Sequence, residues 1–217
     1  MRCALLFPST LFSGQPGRAH EPGTQPAQPP RGALLFASCT GCHGGDAGGS
    51  RDGTIPALAG QHYRYLIKQL LDFADSERPM TPGAQHPAID LKADEREQLS
   101  SFLASLAPIE RPRTGDGKAM ARGRELYRAA CKACHLETAL GSADLGVPSL
   151  RGQHYPYLLR QIRDIARAHR FNTPADLILL TEGMSPQEIA AVADYLSRLG
   201  CPDLILVRDQ RAPAEST

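Results

Sequence analysis

The five-residue pattern Cys-x-x-Cys-His occurs twice in this chain of 217 residues, at residues 39–43 and 131–135. This spacing is typical of c-type haem attachment. Two thiols bond covalently to the porphyrin, and the adjacent imidazole is held against the iron as an axial ligand. The two copies therefore predict two covalently attached haem c groups. The predicted covalent and axial residues are Cys39, Cys42 and His43 in the first copy, and Cys131, Cys134 and His135 in the second.

A second pattern indicates that the two copies belong to a repeated domain. Residues 55–63 match residues 147–155 at the same offset of 92 residues that separates the two haem patterns. A single Cys-x-x-Cys-His could instead be half of a zinc site, since zinc draws four tetrahedral ligands from two neighbouring half-sites. Here each copy is followed by helical stretches of its own, which favours a tandem repeat with one haem in each unit.

The composition of the chain fits two small haem domains. At this length two domains can form, each near the size at which a hydrophobic core alone is marginally stable. The absence of Trp and the mean hydropathy of -0.30 fit interiors that are filled partly by cofactor. No apolar run approaches the length of a transmembrane helix, so we expect a soluble protein.

Each half contains three stretches in which apolar residues recur at helical spacing. Ser185, Pro186 and Glu188 provide the N-cap, first-turn proline and capping-box residue of a helix start. No alternating strand pattern competes, so we predict an all-α fold with about three main helices around each haem. The predicted helices are residues 33–38, 63–74 and 93–106 in the first half, and 120–130, 155–168 and 186–199 in the second.

The ends of the chain differ from its interior. Residues 14–32 are rich in Pro, Gly and Gln and cannot bury much surface. The apolar start of the chain is interrupted by Pro8, which makes it a poor secretory signal. Covalent haem attachment in bacteria takes place outside the cytoplasm, so we expect export to the periplasm through an atypical signal, or a true start at another position. The predicted segments are a disordered leader at 1–31, domains at 32–107 and 119–200, a linker at 108–118 and a tail at 201–217.

Four further residues attract attention because of their chemistry. Cys3 and Cys201 lie outside the haem patterns and are expected to be free thiols, with a disulfide between them as the alternative. His62 and His154 recur in both halves. We therefore expect them to bond a haem propionate or cap a helix rather than to bind iron.

The repeated patterns of this chain resemble those of cytochrome c4, a periplasmic di-haem electron carrier. The resemblance rests on the two haem patterns, on a Gly-x-x-Leu-aromatic lead-in at residues 32–36 and 123–127, and on Pro-x-Leu-x-Gly-Gln at residues 56–61 and 148–153. It covers residues 32–200. It implies two tandem class I cytochrome c domains, each with His and Met on opposite faces of its iron. It also implies electron transfer from a membrane quinol-oxidising complex to a terminal oxidase.

The resemblance implies further roles around the first iron. In this family the sixth ligand is a methionine from the loop between the second and third helices, and its thioether raises the reduction potential. Met80 is the only methionine in the first half once the haem pattern begins, and prolines flank it in a loop. We therefore predict it as the distal ligand. Pro56 and Pro148 resemble the family proline whose carbonyl accepts the Nδ1 hydrogen of the axial histidine.

The second half departs from this pattern, because Asn172 occupies the position of Met80 at the 92-residue offset. Met184 is one candidate ligand, but it directly precedes the N-cap Ser185, where a core contact is the alternative role. His169 could bind instead, or remain a solvated cation near a helix C-terminus. The third alternative is an open or water-bound iron, which in the ferrous state takes up carbon monoxide, oxygen or peroxide.

The charges of the chain bear on its partners. Residues 33–110 carry a net charge of −4 and residues 111–217 a net charge of +3, which favours salt-dependent orientation on a redox partner. The arginines of residues 155–170 are not interleaved with aromatic residues that could stack bases, so nucleic-acid binding is not expected. We predict an electron-transfer protein without catalytic residues. The alternative is a di-haem enzyme, or a gas or redox sensor, with a reactive second haem.

Overall fold

The structure, a computed structural model, describes residues 29–76, 78, 86 and 89–200. Within these ranges the chain is helical, and its β-type pairing is limited to one bridge between Ser142 and Val147. A π-helical turn at Tyr127–Cys131 joins α5 to α6. The α-helices are α1 (Arg31–Phe36), α2 (Thr40–His43), α3 (Tyr63–Ala74), α4 (Ala93–Ser105), α5 (Met120–Leu126), α6 (Lys132–His135), α7 (Tyr155–Ala166), α8 (Ala175–Glu182) and α9 (Pro186–Arg198).

The first and last helices of each half cross at a glycine. α1 meets α4 where a Cβ atom on Gly32 would lie 2.3 Å from the carbonyl oxygen of Gln98. α5 meets α9 where a Cβ atom on Gly123 would lie 2.1 Å from the carbonyl oxygen of Ala191. A larger side chain at either glycine would force two helix backbones apart, because these approaches are possible only without a Cβ.

Each half has its own hydrophobic core. α3 packs against α4 in the first half, and α7 packs against α9 in the second. The apolar stripes of these helices face one another, as amphipathic helices require. The two cores share no buried residue, so each half can be described as a unit with its own interior. The first core contains Phe36, Ala47, Ala59, Leu66, Leu99 and Leu103, and the second contains Tyr127, Ala139, Leu158, Val192, Ala193, Tyr195 and Leu196.

Reciprocal hydrogen bonds fix the start of the last helix in the second half. The Glu188 N–H donates to the hydroxyl oxygen of Ser185 at 3.2 Å, and the Ser185 N–H donates to the Glu188 carboxylate at 3.0 Å. These bonds satisfy backbone N–H groups that the first turn of a helix leaves unpaired. α9 therefore begins where the sequence pattern predicted.

The lead-in to the second haem pattern is one residue longer than the lead-in to the first. Three positions separate Phe36 from Cys39, whereas four separate Tyr127 from Cys131. The π-helical turn accommodates the additional residue, since π-bulges occur as single wider turns inside α-helices. Phe36 and Tyr127 therefore occupy equivalent positions in the two halves. The ring of each is tilted against an aromatic ring in the last helix of its half.

The segment between the two halves is bound to the second one. The Arg113 N–H donates to His154 Nδ1 at 2.8 Å, and the Gly117 N–H donates to the Asp194 carboxylate at 2.7 Å. Arg198 extends the same contact by donating to the carbonyl oxygen of Gly115. The connection is therefore held along the side of the second half.

The predicted all-α fold is confirmed. The predicted helices agree with α1, α3, α4, α5, α7 and α9 to within a few residues, but α8 was not predicted. The stretch that forms α8 was expected to be a loop, and its apolar run of Leu177–Leu180 shows no amphipathic spacing. The domain boundaries at residues 32–107 and 119–200 stay predictions.

Several predictions fall on parts of the chain that lie outside the described residues. These are the leader, the tail, Cys3 and Cys201. In the part of the chain that the structure does describe, no helix is both long and apolar enough to cross a membrane.

Candidate haem sites

Each Cys-x-x-Cys-His pattern lies on a one-turn helix. α2 begins directly after Cys39 and ends at His43, and α6 begins directly after Cys131 and ends at His135. Residues three apart on a helix share a face, so both thiols of a pattern point to the same side. In each pattern the first thiol is half-buried and the second is exposed. The arrangement fits covalent attachment of two thiols to one porphyrin.

The imidazole of each pattern is oriented by a proline carbonyl. His43 Nδ1 lies 3.1 Å from the carbonyl oxygen of Pro56, and His135 Nδ1 lies 3.0 Å from that of Pro148. A carbonyl oxygen can only accept, so Nδ1 carries the hydrogen in both rings and Nε2 keeps its lone pair. This is the arrangement found around metal-binding histidines. The residues present therefore fit an iron ligand in both halves.

Both imidazoles are favoured in their neutral form. Burial lowers the pKa of His43 and of His135 below the ordinary histidine value. The hydrogen bond to the proline carbonyl acts in the opposite direction in each case, and the neighbouring His86 lowers the pKa of His43 further. A neutral imidazole is the form that binds a metal.

The loop after each pattern has the same backbone course in both halves. Ala47 and Ala139 are both fully buried with a φ of 56°. The carbonyl group of each accepts two backbone N–H bonds from the segment that follows Pro56 or Pro148. These bonds hold the proline carbonyl against the histidine ring.

One position in these loops differs between the halves. Gly44, directly after His43, has a φ of 77° and a ψ of 155°, and Leu136, directly after His135, has a φ of 64° and a ψ of 170°. Glycine is essentially the only residue that adopts this region without strain. The Tyr127 hydroxyl donates to the Leu136 carbonyl oxygen at 2.5 Å. The second half therefore carries a strained residue directly after His135, the histidine of its haem pattern.

Near the first histidine the structure brings in a residue that the sequence analysis did not single out. The predicted ligand Met80 lies outside the described residues. The ring centre of His86, from the same loop, lies 6.3 Å from that of His43. Its ring stacks on Phe73 at 5.0 Å with an interplanar angle of 10°. The signal in the sequence was a histidine in a proline-flanked loop, six residues after the predicted ligand.

The residues considered for the sixth position of the second iron make other contacts or are exposed. Asn172 donates to the carboxylate of Asp72 at 2.6 Å, in the other half of the molecule. Met184 is half-buried and packs against the second hydrophobic core. His169 is exposed. Among the described residues, no second imidazole is in ring contact with His135 as His86 is with His43.

The two halves are joined by a reciprocal pair of glutamines. The Gln61 side chain donates to the Ser149 carbonyl at 2.9 Å and accepts from the Ser149 N–H at 2.9 Å. Gln153 does the same with Ala57, at 2.8 and 3.0 Å. Both glutamines belong to the repeated Pro-x-Leu-x-Gly-Gln run. The repeat was visible in the sequence, but a contact between its copies was not.

The two repeated histidines also cross this interface. His62 Nε2 donates to the Leu140 carbonyl at 2.6 Å, and His154 Nε2 donates to the Gly48 carbonyl at 2.7 Å. Both occupy the N-cap position of a helix, α3 or α7, but neither side chain caps it. Their structural role is therefore to tie each haem loop to the opposite half.

A cluster of arginines and glutamines completes the interface. Arg78 donates to Gln69 at 2.6 Å and, across the interface, to Gln161 at 2.9 Å. Arg170, at the 92-residue offset from Arg78, donates to Gln161 at 3.1 Å and, across the interface, to Gln69 at 2.9 Å. The interface is therefore built from equivalent residues of the two repeats.

The comparisons with known proteins agree with this architecture. The Cytochrome c family model matches residues 30–107 and again residues 120–200. Cytochrome c4 of Pseudomonas aeruginosa is 32% identical over 202 residues, which cover 90% of this chain and 98% of that protein. The thiosulfate dehydrogenase electron acceptor of Stutzerimonas stutzeri is 33% identical over 177 residues, which cover 75% of this chain and 79% of that protein.

A solved structure supports the same relationship. The crystal structure of reduced cytochrome c4 from Pseudomonas stutzeri superposes with a TM-score of 0.63 at 27% sequence identity, covering 77% of this chain and 96% of that one. The chain therefore belongs to the cytochrome c family, and within it to the cytochrome c4 proteins, which makes it an electron-transfer protein with two covalently attached haem c groups.

Proposed function

We propose that this protein is an exported, periplasmic carrier that accepts an electron at one haem, passes it internally and delivers it from the other haem to a terminal oxidase. A membrane quinol-oxidising complex is the proposed donor. The observation that carries the proposal is the interface of Gln61 and Gln153, because it holds the two haem-binding halves in one fixed arrangement. A carrier with two haems needs such an arrangement for electrons to pass between them.

Each residue of the two patterns has a role in this proposal. The bound haem supplies a one-electron couple at its iron. His43 and His135 would bind iron through Nε2, and Pro56 and Pro148 hold each ring in the required orientation through the Nδ1 hydrogen. A sixth ligand for the first iron comes from the loop between α3 and α4. The residues that form the thioether bonds are Cys39, Cys42, Cys131 and Cys134.

The interface also supports electron transfer between the halves by excluding relative motion. Eight hydrogen-bonding atoms of Gln61, Gln153, Ala57 and Ser149 are paired across it. Separating the halves would leave half-buried donors and acceptors without partners, each at a cost of about 1–3 kcal/mol until water replaces them. The distance between the two iron sites is consequently set by covalent and hydrogen-bonded geometry.

The proposal is tested with haem-loaded protein from the periplasmic fraction. Haem is counted per chain, the mature N-terminus is determined by mass spectrometry, and reduction by a quinol-oxidising complex and oxidation by a terminal oxidase are followed by stopped-flow absorbance. We expect two haems, a processed N-terminus and exchange with both partners. Exchange with neither complex would overturn the proposed partners. An intact Met1 on haem-loaded protein would overturn export through an N-terminal signal.

The name of one relative indicates a second class of donor. The relative from Stutzerimonas stutzeri is a thiosulfate dehydrogenase electron acceptor. The stopped-flow experiment therefore includes a thiosulfate dehydrogenase as a second donor. Faster reduction by this enzyme than by the quinol-oxidising complex would place the protein in the oxidation of sulfur compounds.

A second candidate function is a reactive second haem, in an enzyme or a gas or redox sensor. It is favoured by the positions of the three residues considered for the second iron. Asn172 bonds across the interface, Met184 packs against the second core, and His169 is exposed. Carbon monoxide added to the reduced protein tests this function. Binding to one haem of two would favour it, and two haems indifferent to carbon monoxide would favour the carrier alone.

A further inference from the structure

The distance between two histidine rings in the first half matches that of two imidazoles on one metal. With a metal–nitrogen bond of about 2 Å on each side and about 1 Å from each nitrogen to its ring centre, two such rings lie about 6 Å apart. The ring centres of His43 and His86 are 6.3 Å apart. The observed separation therefore fits two imidazoles that bind opposite sides of one metal ion.

The orientation of the two rings is compatible with a shared metal. His43 uses Nδ1 for the Pro56 carbonyl, so its Nε2 edge is the one that binds iron. In a site with two imidazoles, the plane of each ring contains the metal–nitrogen bond of that ring. The two rings can still rotate relative to each other about the axis through the two nitrogens and the metal. Their interplanar angle of 54° is one such rotation.

The environment of His86 fixes its ring in place. It stacks on Phe73, and the Arg78 guanidinium lies 4.7 Å from the centre of the same Phe73 ring. Arg78 is itself held by the Tyr157 hydroxyl at 2.8 Å and by Gln161 at 2.9 Å, both from the second half. Packing of this kind, supported by hydrogen bonds of neighbouring side chains, is how metal sites hold a ligand ring in a fixed orientation.

The second half has no equivalent of His86. At the 92-residue offset of the haem patterns its position is taken by Ile178, and at the 93-residue offset of the last helices by Leu179. Neither side chain can bind iron. The imidazole is therefore a property of the first half alone and not of the repeat.

We propose that His86, rather than Met80, binds the first haem iron opposite His43, so that this haem has two histidine ligands. The inference rests on the proposed attachment of haem at Cys39 and Cys42. An imidazole in place of a thioether lowers the reduction potential of a haem. The first haem would then have a lower potential than a histidine–methionine haem in the same domain.

The test compares Met80→Ala with His86→Ala in the full, haem-loaded chain. Near-infrared magnetic circular dichroism and electron paramagnetic resonance of the ferric protein report whether sulfur or a second imidazole binds iron, and a redox titration gives both midpoint potentials. We expect Met80→Ala to keep the wild-type spectra and potentials. His86→Ala should convert one haem of two from the low-spin form to a high-spin or carbon monoxide-binding form.

A third variant and a separate control complete the design. His86→Met should restore six ligands, introduce a sulfur-to-iron charge-transfer band and raise one midpoint potential. Loss of such a band in Met80→Ala would overturn the proposal, as would unchanged spectra in His86→Ala. If His86→Ala does not fold, Met80→Ala decides alone, because it removes a thioether and leaves the imidazole. The haem count of the same samples tests the proposed function independently of the ligand.

Discussion

The two halves share the frame around the proximal histidine and differ on the side where a sixth ligand would bind. Gly32 and Gly123 make the same close helix crossing, and the proline carbonyl bonds of His43 and His135 differ by 0.1 Å (3.1 and 3.0 Å). Where the first half has His86, the second has an aliphatic residue that lies within α8. Attachment of haem thus accounts for the features that the two domains share, whereas the side where a sixth ligand would bind carries different residues in each domain.

The largest effect is expected at the shared helix crossings. Gly32→Ala and Gly123→Ala would each place a Cβ atom 2.3 or 2.1 Å from a carbonyl oxygen, so each should lower the free energy of unfolding of its own domain by about 3 kcal/mol. Thermal unfolding followed by circular dichroism and haem absorbance measures the effect. Gly183→Ala is the matched control, since a Cβ there meets no atom within 4 Å. Wild-type melting in both crossing variants would show that the halves do not depend on this contact.

A smaller effect is expected from the equivalent arginines of the interface. Arg78→Ala and Arg170→Ala each leave Gln69 and Gln161 with fewer donors, at a cost of about 2 kcal/mol. We expect calorimetry to show separate unfolding transitions of the two halves in both variants. The haem absorption spectrum should change in Arg78→Ala alone, because Arg78 contacts Phe73, on which the His86 ring stacks. Arg167→Ala, at an exposed position, is the control. Equal spectra in the two interface variants would contradict this difference.

The strained position directly after His135 offers a stabilising change. Leu136→Gly should raise the free energy of unfolding of the second domain by about 1 kcal/mol, because glycine adopts its φ of 64° and ψ of 170° without a steric cost. Gly44→Leu, the reverse change in the first domain, should destabilise that domain by a similar amount. Chemical denaturation of both variants measures the pair. A lower stability of Leu136→Gly would mean that side-chain contacts of Leu136 outweigh the strain.

The smallest effect concerns acid stability of the first haem loop. Hydrogen bonds from Ser50 and Thr54 lower the pKa of Asp52 to about 2. A carboxyl group with a lowered pKa stabilises the folded state above its unfolded pKa, near 4, and this stability is lost as the pH falls from about 4 to about 2. Asp52→Asn should therefore reduce the melting temperature slightly at neutral pH, and the difference should vanish near pH 2. Asp144→Asn, at the equivalent position, is the control, and a difference that persists at pH 2 would exclude the carboxylate as its cause.

Much of the fold around the two haem patterns could be predicted because it depends on local sequence signals. The haem patterns, the helical periodicities and the Ser185 capping box each act within a few residues, and the resulting all-α fold with two haems is confirmed. α8 could not be predicted in this way, since its apolar run has no helical spacing. Its position depends on packing against α7, which is a tertiary contact.

The candidate site was less predictable where it depends on distant residues. The repeat identified Gln61 and Gln153 as equivalent, but not that each bonds to the backbone of the other half. Likewise, a histidine in a loop can have many roles, and the sequence alone did not indicate that His86 lies beside His43. Met184 and His169 as ligands of the second iron stay predictions, and for the first iron the proposed ligand His86 replaces the predicted Met80, which lies outside the described residues.

The π-helical turn of residues 127–131 shows how such a repeat can change length without losing its function. Gly123 is fixed by the helix crossing, and Cys131 would be fixed by its bond to the porphyrin, so neither end of the lead-in could shift along the chain. A wider turn absorbs one inserted residue between these two fixed points. Deletion of one alanine from this turn would give the second lead-in the length of the first. Duplicated domains can thus diverge by single-residue insertions at positions where the backbone has room for one more peptide unit.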